Sequence, residues 1–181
     1  MKGLMIYSNG MEDSEALSTR ALLKRAGIDV ITATINKDLK VKTAFDQVVL
    51  ADLDLKHINA LEFDFLIIPG GGYITRVIDE DTWIKKTILD FYNQDKLIGA
   101  ICAAPRFLGR LGLLDGMDYT AFPGSEKEAL NGNYLINQKV VVTPRFITAR
   151  SAGAIIEFVY SLVSKIKSEK DAKALLENII Y

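Results

Sequence analysis

The chain alternates between short apolar runs and longer segments whose apolar residues recur at helical spacing. Five runs bounded by polar or turn-forming residues are typical of buried strands: residues 4–8, 28–34, 65–69, 97–102 and 146–149. Weaker patterns predict short strands near residues 119–123, 134–136 and 140–143, and a hairpin over residues 41–50. The apolar pattern therefore supplies enough strands for one central sheet.

The segments between these runs predict helices. Residues 12–26 carry helical spacing and stop at Gly27, a residue common just past helix ends. One helix should follow Cys102, with Pro105 in its first turn, and others are predicted over residues 53–61, 81–93, 125–130, 151–165 and 168–178. Strand–helix alternation with short connections is typical of a parallel α/β sandwich. We predict a single domain over residues 1–181.

Composition and charge narrow the function classes. Lysine and arginine number 22 against 23 acidic residues, a net charge of −1, so no basic face is expected for nucleic acid or acidic lipid. No apolar run approaches the ~20 residues of a membrane span, and the opening residues are too short for a signal-peptide core. One cysteine and one histidine argue against a disulfide, a metal centre or a metal cofactor. We expect a cytoplasmic protein that needs no cofactor.

Cys102, the single cysteine, lies where a strand turns sharply into a helix. A helix N-terminus lowers the pKa of a nearby thiol, and nucleophile-elbow enzymes present their reactive side chain on such a turn. Small neighbours leave space around the sulfur: Gly99, Ala100, Ala103 and Ala104. The alternative is an inert, buried cysteine, the commonest role of this residue type.

Two other strand ends carry candidate groups, and parallel strands bring their carboxyl ends to one edge of the sheet. Glu15 follows the first strand and could place a buried carboxyl of raised pKa beside the thiol. Glu12 and Asp13 compete with it on spacing alone. The triplet 70–72 is either a turn that only glycine can form or a backbone oxyanion site at Gly71.

Two further side chains, Arg150 and His57, are of types that often act at such sites. Arg150, just past the last strand, could bind a carboxylate or an oxidised sulfur there, or form a surface ion pair. His57 lies in a polar segment and is interpreted as an exposed surface residue.

Five blocks of sequence together resemble the DJ-1/PfpI (ThiJ) family, in the family's order and spacing and over nearly the whole chain. They are Asn9-Gly10-Met11-Glu12-Asp13-Ser14-Glu15, Lys24-Arg25-Ala26-Gly27, Ile68-Pro69-Gly70-Gly71-Gly72, Ala100-Ile101-Cys102-Ala103-Ala104-Pro105 and Thr148-Ala149-Arg150. The nearest likeness is to the branch that contains the parkinsonism-associated protein. The resemblance implies a flavodoxin-like three-layer sandwich with a mostly parallel central sheet, similar to class I glutamine amidotransferases.

The resemblance also implies roles for individual residues. Cys102 would be an oxidation-prone nucleophile, Glu15 its protonated partner, and the backbones of Gly71 and Ala103 an oxyanion pocket, with Gly72 and Arg150 at the substrate site. It implies a homodimer and a cofactor-independent activity on small carbonyl compounds, of the glyoxalase or deglycase type.

Departures from the family pattern concern the candidate bases. The branch often has a histidine before the proline at position 123, where this chain has Phe122, and the protease-like branch has one at the position of Ala103. The last block continues Arg150-Ser151-Ala152-Gly153 in place of Arg-Gly-Pro-Gly. Protease and amidotransferase activities are therefore disfavoured. Two hypotheses stay open: an enzyme acting on small reactive aldehydes, and a non-catalytic redox sensor or chaperone switched by Cys102 oxidation.

Overall fold

A computed structural model describes residues 1–80 and 82–181. Its core is a seven-stranded sheet made of β1 (Lys2–Ile6), β2 (Asp29–Thr34), β5 (Leu53–Asp54), β6 (Phe65–Ile68), β7 (Leu97–Ile101), β10 (Val140–Val142) and β11 (Phe146–Ala149). The strand order is β10-β11-β7-β6-β1-β2-β5. All neighbouring pairs are parallel except β10 with β11. The mostly parallel α/β sheet predicted from the sequence is confirmed.

Two short ribbons lie outside this sheet. The predicted hairpin is confirmed as β3 (Lys40–Lys42) paired antiparallel with β4 (Val48–Leu50). A second ribbon pairs β8 (Asp118–Tyr119) with β9 (Asn133–Tyr134) in parallel. The Ala44 N–H in the hairpin turn donates to the Met11 carbonyl, and the Phe122 N–H, shortly after β8, donates to the Cys102 carbonyl. Both segments therefore reach the edge at which the site forms.

Helices cover the sheet because strands buried on both faces need apolar cover on both. The helices are α1 (Thr19–Arg25), α2 (Tyr73–Val77), α3 (Thr82–Tyr92), α4 (Pro105–Arg110), α5 (Ile155–Ile166) and α6 (Glu169–Asn178). Helices α1 and α5 contact each other and the sheet, whereas α3 packs on β6 and β7. Gly99 lets α5 approach β7, since a Cβ there would lie 3.0 Å from the Phe158 ring. Within the described residues, no helix is long and apolar enough to cross a membrane.

The helices of the structure differ from the predicted ones over residues 53–61 and at α2. Residues 53–61 form strand β5 and two 3₁₀ turns, Leu55–His57 and Ala60–Glu62, so the helix predicted there is wrong. Their polar side chains cap these short turns: Asp54 and Asn59 each accept an N–H two residues later. Helix α2 was not predicted, and the predicted start of α3, Asp81, lies outside the described residues.

The order of the central strands explains the position of the candidate site. Strands β7, β6 and β1 are neighbours, and they lead respectively to Cys102, to the glycine triplet and to the segment that holds Glu15. Because the strands are parallel, all three connections leave the sheet at the same edge. The convergence predicted from the sequence is thus a direct result of strand order.

Candidate active site

Cys102 occupies a strained turn between β7 and α4. Its φ is +64°, in the left-handed region that a residue with a side chain rarely adopts. Two backbone bonds hold it there: its N–H donates to Ala149 at 2.8 Å, and its carbonyl accepts the Phe122 N–H at 2.8 Å. Pro105 is in the first turn of α4, as predicted. The turn leaves the thiol half-buried, with its sulfur accepting the Ala103 N–H.

Glu15 is the carboxyl that reaches the thiol. Its side chain is 1% exposed and hydrogen-bonds Cys102. The N–H of Gly70 donates to its Oε2 at 3.0 Å, and the N–H of Ala152 donates to the same carboxyl group. Glu15 lies in a π-helical turn, Ser14–Ser18, that precedes α1. Such turns are rare and often occur at functional sites.

The two competing carboxyl groups have other partners. Glu12 accepts the Glu15 N–H at 2.6 Å and the Ser14 hydroxyl, so it caps the start of the π-helical turn. Asp13 accepts the Thr43 hydroxyl at 2.6 Å and the Phe45 N–H at 3.1 Å, which ties the β3–β4 hairpin to this turn. The choice left open by spacing is therefore settled by tertiary contacts in favour of Glu15.

Burial dominates the titration of the thiol–carboxyl pair. It raises the pKa of Glu15 from 4.5 to about 7, against the opposing effect of the hydrogen bonds from Cys102, Gly70 and Ala152. Burial also raises the pKa of Cys102, and repulsion from an ionised Glu15 raises it further. Because the two groups are in contact, the pair loses its first proton far more easily than its second.

The pKa of Cys102 is thus raised, whereas the turn and the helix end were expected to lower it; that expectation is wrong. The six-residue helix α4 and the Ala103 N–H favour the ionised thiol and so act to lower its pKa. Burial of the thiol and repulsion from the Glu15 carboxylate raise its pKa, and these two effects are stronger. Glu15 has the raised pKa predicted for it.

Two glycines of the triplet permit this arrangement. A Cβ on Gly70 would lie 2.4 Å from the Glu15 Oε2 and 2.5 Å from the Cys102 Cβ, so a side chain there would occupy the space of the pair. Gly71 has φ +124°, and a Cβ on it would lie 2.4 Å from the Gly10 carbonyl oxygen. Both positions therefore require glycine, because a side chain at either would overlap its neighbours.

The thiol opens into a pocket of about 420 Å³. Four of its lining residues were predicted for the site: Gly71, Gly72, Cys102 and Ala103. The others are Thr75, Arg106, Phe122, Pro123, Gly124 and Ser125. Arg106 was missed, although it follows Cys102 by only four residues. Phe122, at the position where the family branch often has a histidine, is 50% exposed and forms an apolar wall of the pocket.

Two residues considered from the sequence lie elsewhere. Arg150 is not among the residues lining the pocket; its Nη1 donates to the Ile136 carbonyl at 3.4 Å. His57 has a side chain that is 83% exposed, 3.6 Å from Asp54, as expected for a surface histidine. Among the residues described, no three or more His, Cys, Asp or Glu side chains are grouped so as to hold a metal ion.

This combination of a mostly parallel sheet, a strained cysteine turn and a buried carboxyl partner defines a class of α/β protein with a thiol at the carboxyl edge of its sheet. The family model of the DJ-1/PfpI family matches residues 1–165. The chain belongs to the DJ-1/PfpI family.

Relatives match over most of the chain. "Protein dj-1beta" of Drosophila melanogaster is 31% identical over 96% of this chain and 95% of its own length. "Glutathione-independent glyoxalase DJR-1.2" of Caenorhabditis elegans is 28% identical over 96% and 92%. A Pyrococcus abyssi protein named a deglycase is 26% identical over 92% and 100%. The chain spans only 44% and 37% of two Arabidopsis thaliana relatives, DJ-1 homologs A and B.

Solved structures agree with the fold. Drosophila melanogaster DJ-1beta has a TM-score of 0.91 at 27% identity, covering 99% of this chain and 97% of that one. Oxidised Toxoplasma gondii DJ-1 has a TM-score of 0.89 at 27% identity, covering 99% and 98%. The flavodoxin-like class predicted from the sequence is thus confirmed.

The space around the pair can be tested by comparing two neighbouring glycines. Gly70→Ala should lower the free energy of unfolding by about 1–3 kcal/mol, because its Cβ overlaps Glu15 and Cys102. Gly72→Ala is the matched control, since its φ is −62° and a Cβ there meets nothing within 4 Å. Urea unfolding measures both; equal stability of the two variants would contradict the assigned packing.

Proposed function

We propose that this protein is a cysteine-dependent, cofactor-independent enzyme that acts on small reactive aldehydes, with Cys102 as nucleophile and Glu15 as its proton acceptor. The observation that carries the proposal is the hydrogen-bonded thiol–carboxyl pair at the inner end of a pocket. A carboxyl whose pKa is about 7 is matched to proton transfer near neutral pH. Homologues named as a glyoxalase and a deglycase support the same reaction class.

In the glyoxalase form of the reaction, methylglyoxal and water give lactate. The Cys102 sulfur forms a bond to the aldehyde carbon while the thiol proton passes to Glu15. The backbones of Gly71 and Ala103, which line the pocket, would stabilise the charge that develops on the aldehyde oxygen. Glu15 protonates that oxygen, takes the hydrogen of the aldehyde carbon as a proton and delivers it to the ketone carbon. The proton of the new hydroxyl passes to the former ketone oxygen, which leaves lactate bound to Cys102 as a thioester.

The last step restores the enzyme. Water attacks the resulting thioester, the bond between sulfur and carbon breaks, and Cys102 regains its proton. One carbon of the substrate is oxidised and its neighbour is reduced, so water is the only co-reactant. The catalytic cycle therefore requires no external oxidant or reductant.

The pH dependence of kcat/KM for methylglyoxal tests the assigned pair. The reactive state holds one proton between Glu15 and Cys102, so its population rises with pH through about 7, the pKa of Glu15. We expect lactate formation by the native protein to rise through this range and then level off. In Glu15→Gln the step near pH 7 should be absent and the rate at pH 7.5 at least tenfold lower.

Cys102→Ser is the control for this measurement, because it retains the pocket and removes the nucleophile. Methylglyoxal consumption by native protein that does not exceed this control would refute the enzyme. A step near pH 7 that persists in Glu15→Gln would refute the role of Glu15 alone.

A second candidate function is a redox sensor or redox-dependent chaperone switched at Cys102. The pocket lining supports it, because it includes no histidine to act as a further base, and Phe122 occupies the place where one was looked for. Sensing requires an accessible thiol that can be oxidised to sulfenic or sulfinic acid. A free thiol of this kind fits the reducing cytoplasm, the compartment we propose.

Intact mass after dilute peroxide tests the sensor. We expect a gain of one or two oxygen atoms that is absent from Cys102→Ser. No mass gain in the native protein under conditions that oxidise free cysteine would contradict this function.

We further propose a homodimer formed through the β3–β4 hairpin. Phe45, Val48 and Leu50 expose most of their apolar surface there, and Val48 and Leu50 share one face of the ribbon. Light scattering should give twice the mass of one chain for the native protein and the mass of one chain for Leu50→Lys. Leu130→Lys, at an exposed leucine outside the hairpin, should remain dimeric. A monomeric native protein would contradict the proposal.

A further inference from the structure

The pocket beside Cys102 contains one formal charge among its lining residues. Arg106 supplies it, and the other lining residues are glycines, small apolar residues, Phe122, Pro123, Cys102 and the hydroxyl residues Thr75 and Ser125. The Arg106 side chain is only 18% exposed, so its guanidinium is partly withdrawn from water. Attraction between this cation and an anion within the pocket is stronger than it would be on an open surface.

Arg106 is held in place from two sides. Its Nη1 donates to the Thr75 hydroxyl at 2.8 Å, and its Nη2 donates to Glu128 Oε1 at 3.1 Å. Thr75 belongs to α2, and Glu128 to a 3₁₀ turn, Ser125–Glu128. The planar guanidinium is therefore fixed before any ligand arrives, which lowers the entropy lost on binding.

The counterion of Arg106 lies behind it and not in the pocket. Glu128 is absent from the pocket lining, and its second oxygen accepts Arg110 Nε at 2.7 Å. Arg110 in turn pairs with Asp79. Two carboxylates and two guanidinium groups thus balance, and Arg106 shares Glu128 with Arg110. Of the five N–H donors of Arg106, its two partners among the described residues use two, so three have no partner there.

The size of the pocket points the same way. Pockets of about 300–1,000 Å³ accept ligands well beyond three carbons, and this one measures about 420 Å³. A three-carbon aldehyde bound at Cys102 would leave the region around Arg106 filled by water. A longer substrate with an anionic group at its far end would occupy both the region beside Cys102 and the region around Arg106.

We propose that Arg106 is a specificity-determining residue and that the preferred substrates are 1,2-dicarbonyl compounds with a terminal carboxylate. The inference rests on the proposed aldehyde chemistry at Cys102 and adds the substrate class. The planar guanidinium would hold the carboxylate by paired hydrogen bonds while the aldehyde carbon meets the sulfur. The compound 4,5-dioxopentanoate has both groups, and with water it would give 2-hydroxypentanedioate by the same balanced steps as methylglyoxal.

The first test compares kcat/KM for 4,5-dioxopentanoate and methylglyoxal. Arg106→Met should lower the ratio of the two values about tenfold relative to the native protein, and Arg106→Lys should lower it less because it keeps the charge. Arg110→Met is the matched control: it removes the other arginine on Glu128, which does not line the pocket, and should leave the ratio within twofold. An unchanged ratio in Arg106→Met would overturn the proposal.

The second test does not depend on turnover. Iodoacetate and iodoacetamide differ by one charge, and each alkylates a thiol with loss of iodide; the chain has one cysteine, so intact mass gives both rates. Their ratio cancels the fraction of ionised thiol. We expect the ratio of the iodoacetate rate to the iodoacetamide rate to be about tenfold higher in the native protein than in Arg106→Met. In Arg110→Met the same ratio should equal that of the native protein. Equal ratios in the native protein and Arg106→Met would overturn the anion site while leaving the nucleophile intact.

Failure of both reagents to react would count against the nucleophile of the proposed function instead. Binding to Cys102→Ser protein then decides the anion site by itself. Calorimetry should show 4-oxopentanoate binding at least fivefold more tightly than its uncharged amide, and Arg106→Met should abolish the difference. Equal binding of acid and amide to the Cys102→Ser protein would refute the assignment of Arg106.

Discussion

The arrangement of this protein depends on one buried hydrogen bond, between the carboxyl of Glu15 and the thiol of Cys102. Removing a carboxyl from water is costly, and its charged form is the more penalised, which is why the pKa of Glu15 rises to about 7. Two backbone N–H groups, from Gly70 and Ala152, offset part of that cost. The pair therefore shares one readily lost proton near neutral pH, a property that neither residue has alone.

Three separate connections must meet for this bond to form. The π-helical turn after β1 directs Glu15 inward, the glycine triplet after β6 leaves room for it, and the strained turn after β7 presents Cys102. The positive φ of Cys102 costs of order 1–3 kcal/mol, and the two backbone bonds at this residue hold it in place. Strain of this kind at a cysteine that lines a pocket is common at functional sites.

The pocket around the pair departs from the pattern expected of its nearest branch. Phe122 supplies an apolar wall where that branch often has a histidine, and Arg106 places a cation within the same cavity. Glu128 holds that cation from outside the cavity. In the reaction that we propose, the thiol–carboxyl pair would carry the proton transfers, and the walls of the pocket would favour particular substituents on the substrate.

The sequence by itself determined the strand–helix alternation, the parallel sheet and the convergence of three connections, because hydrophobic periodicity and glycine and proline signals are local. It also identified Cys102 and Glu15 as candidates. Only the tertiary structure separated Glu15 from Glu12 and Asp13, turned Arg150 away from the pocket, and brought Arg106 into it. The direction of the thiol pKa was also decided there, since desolvation and repulsion arise from neighbours distant in the chain, which spacing along the sequence does not specify.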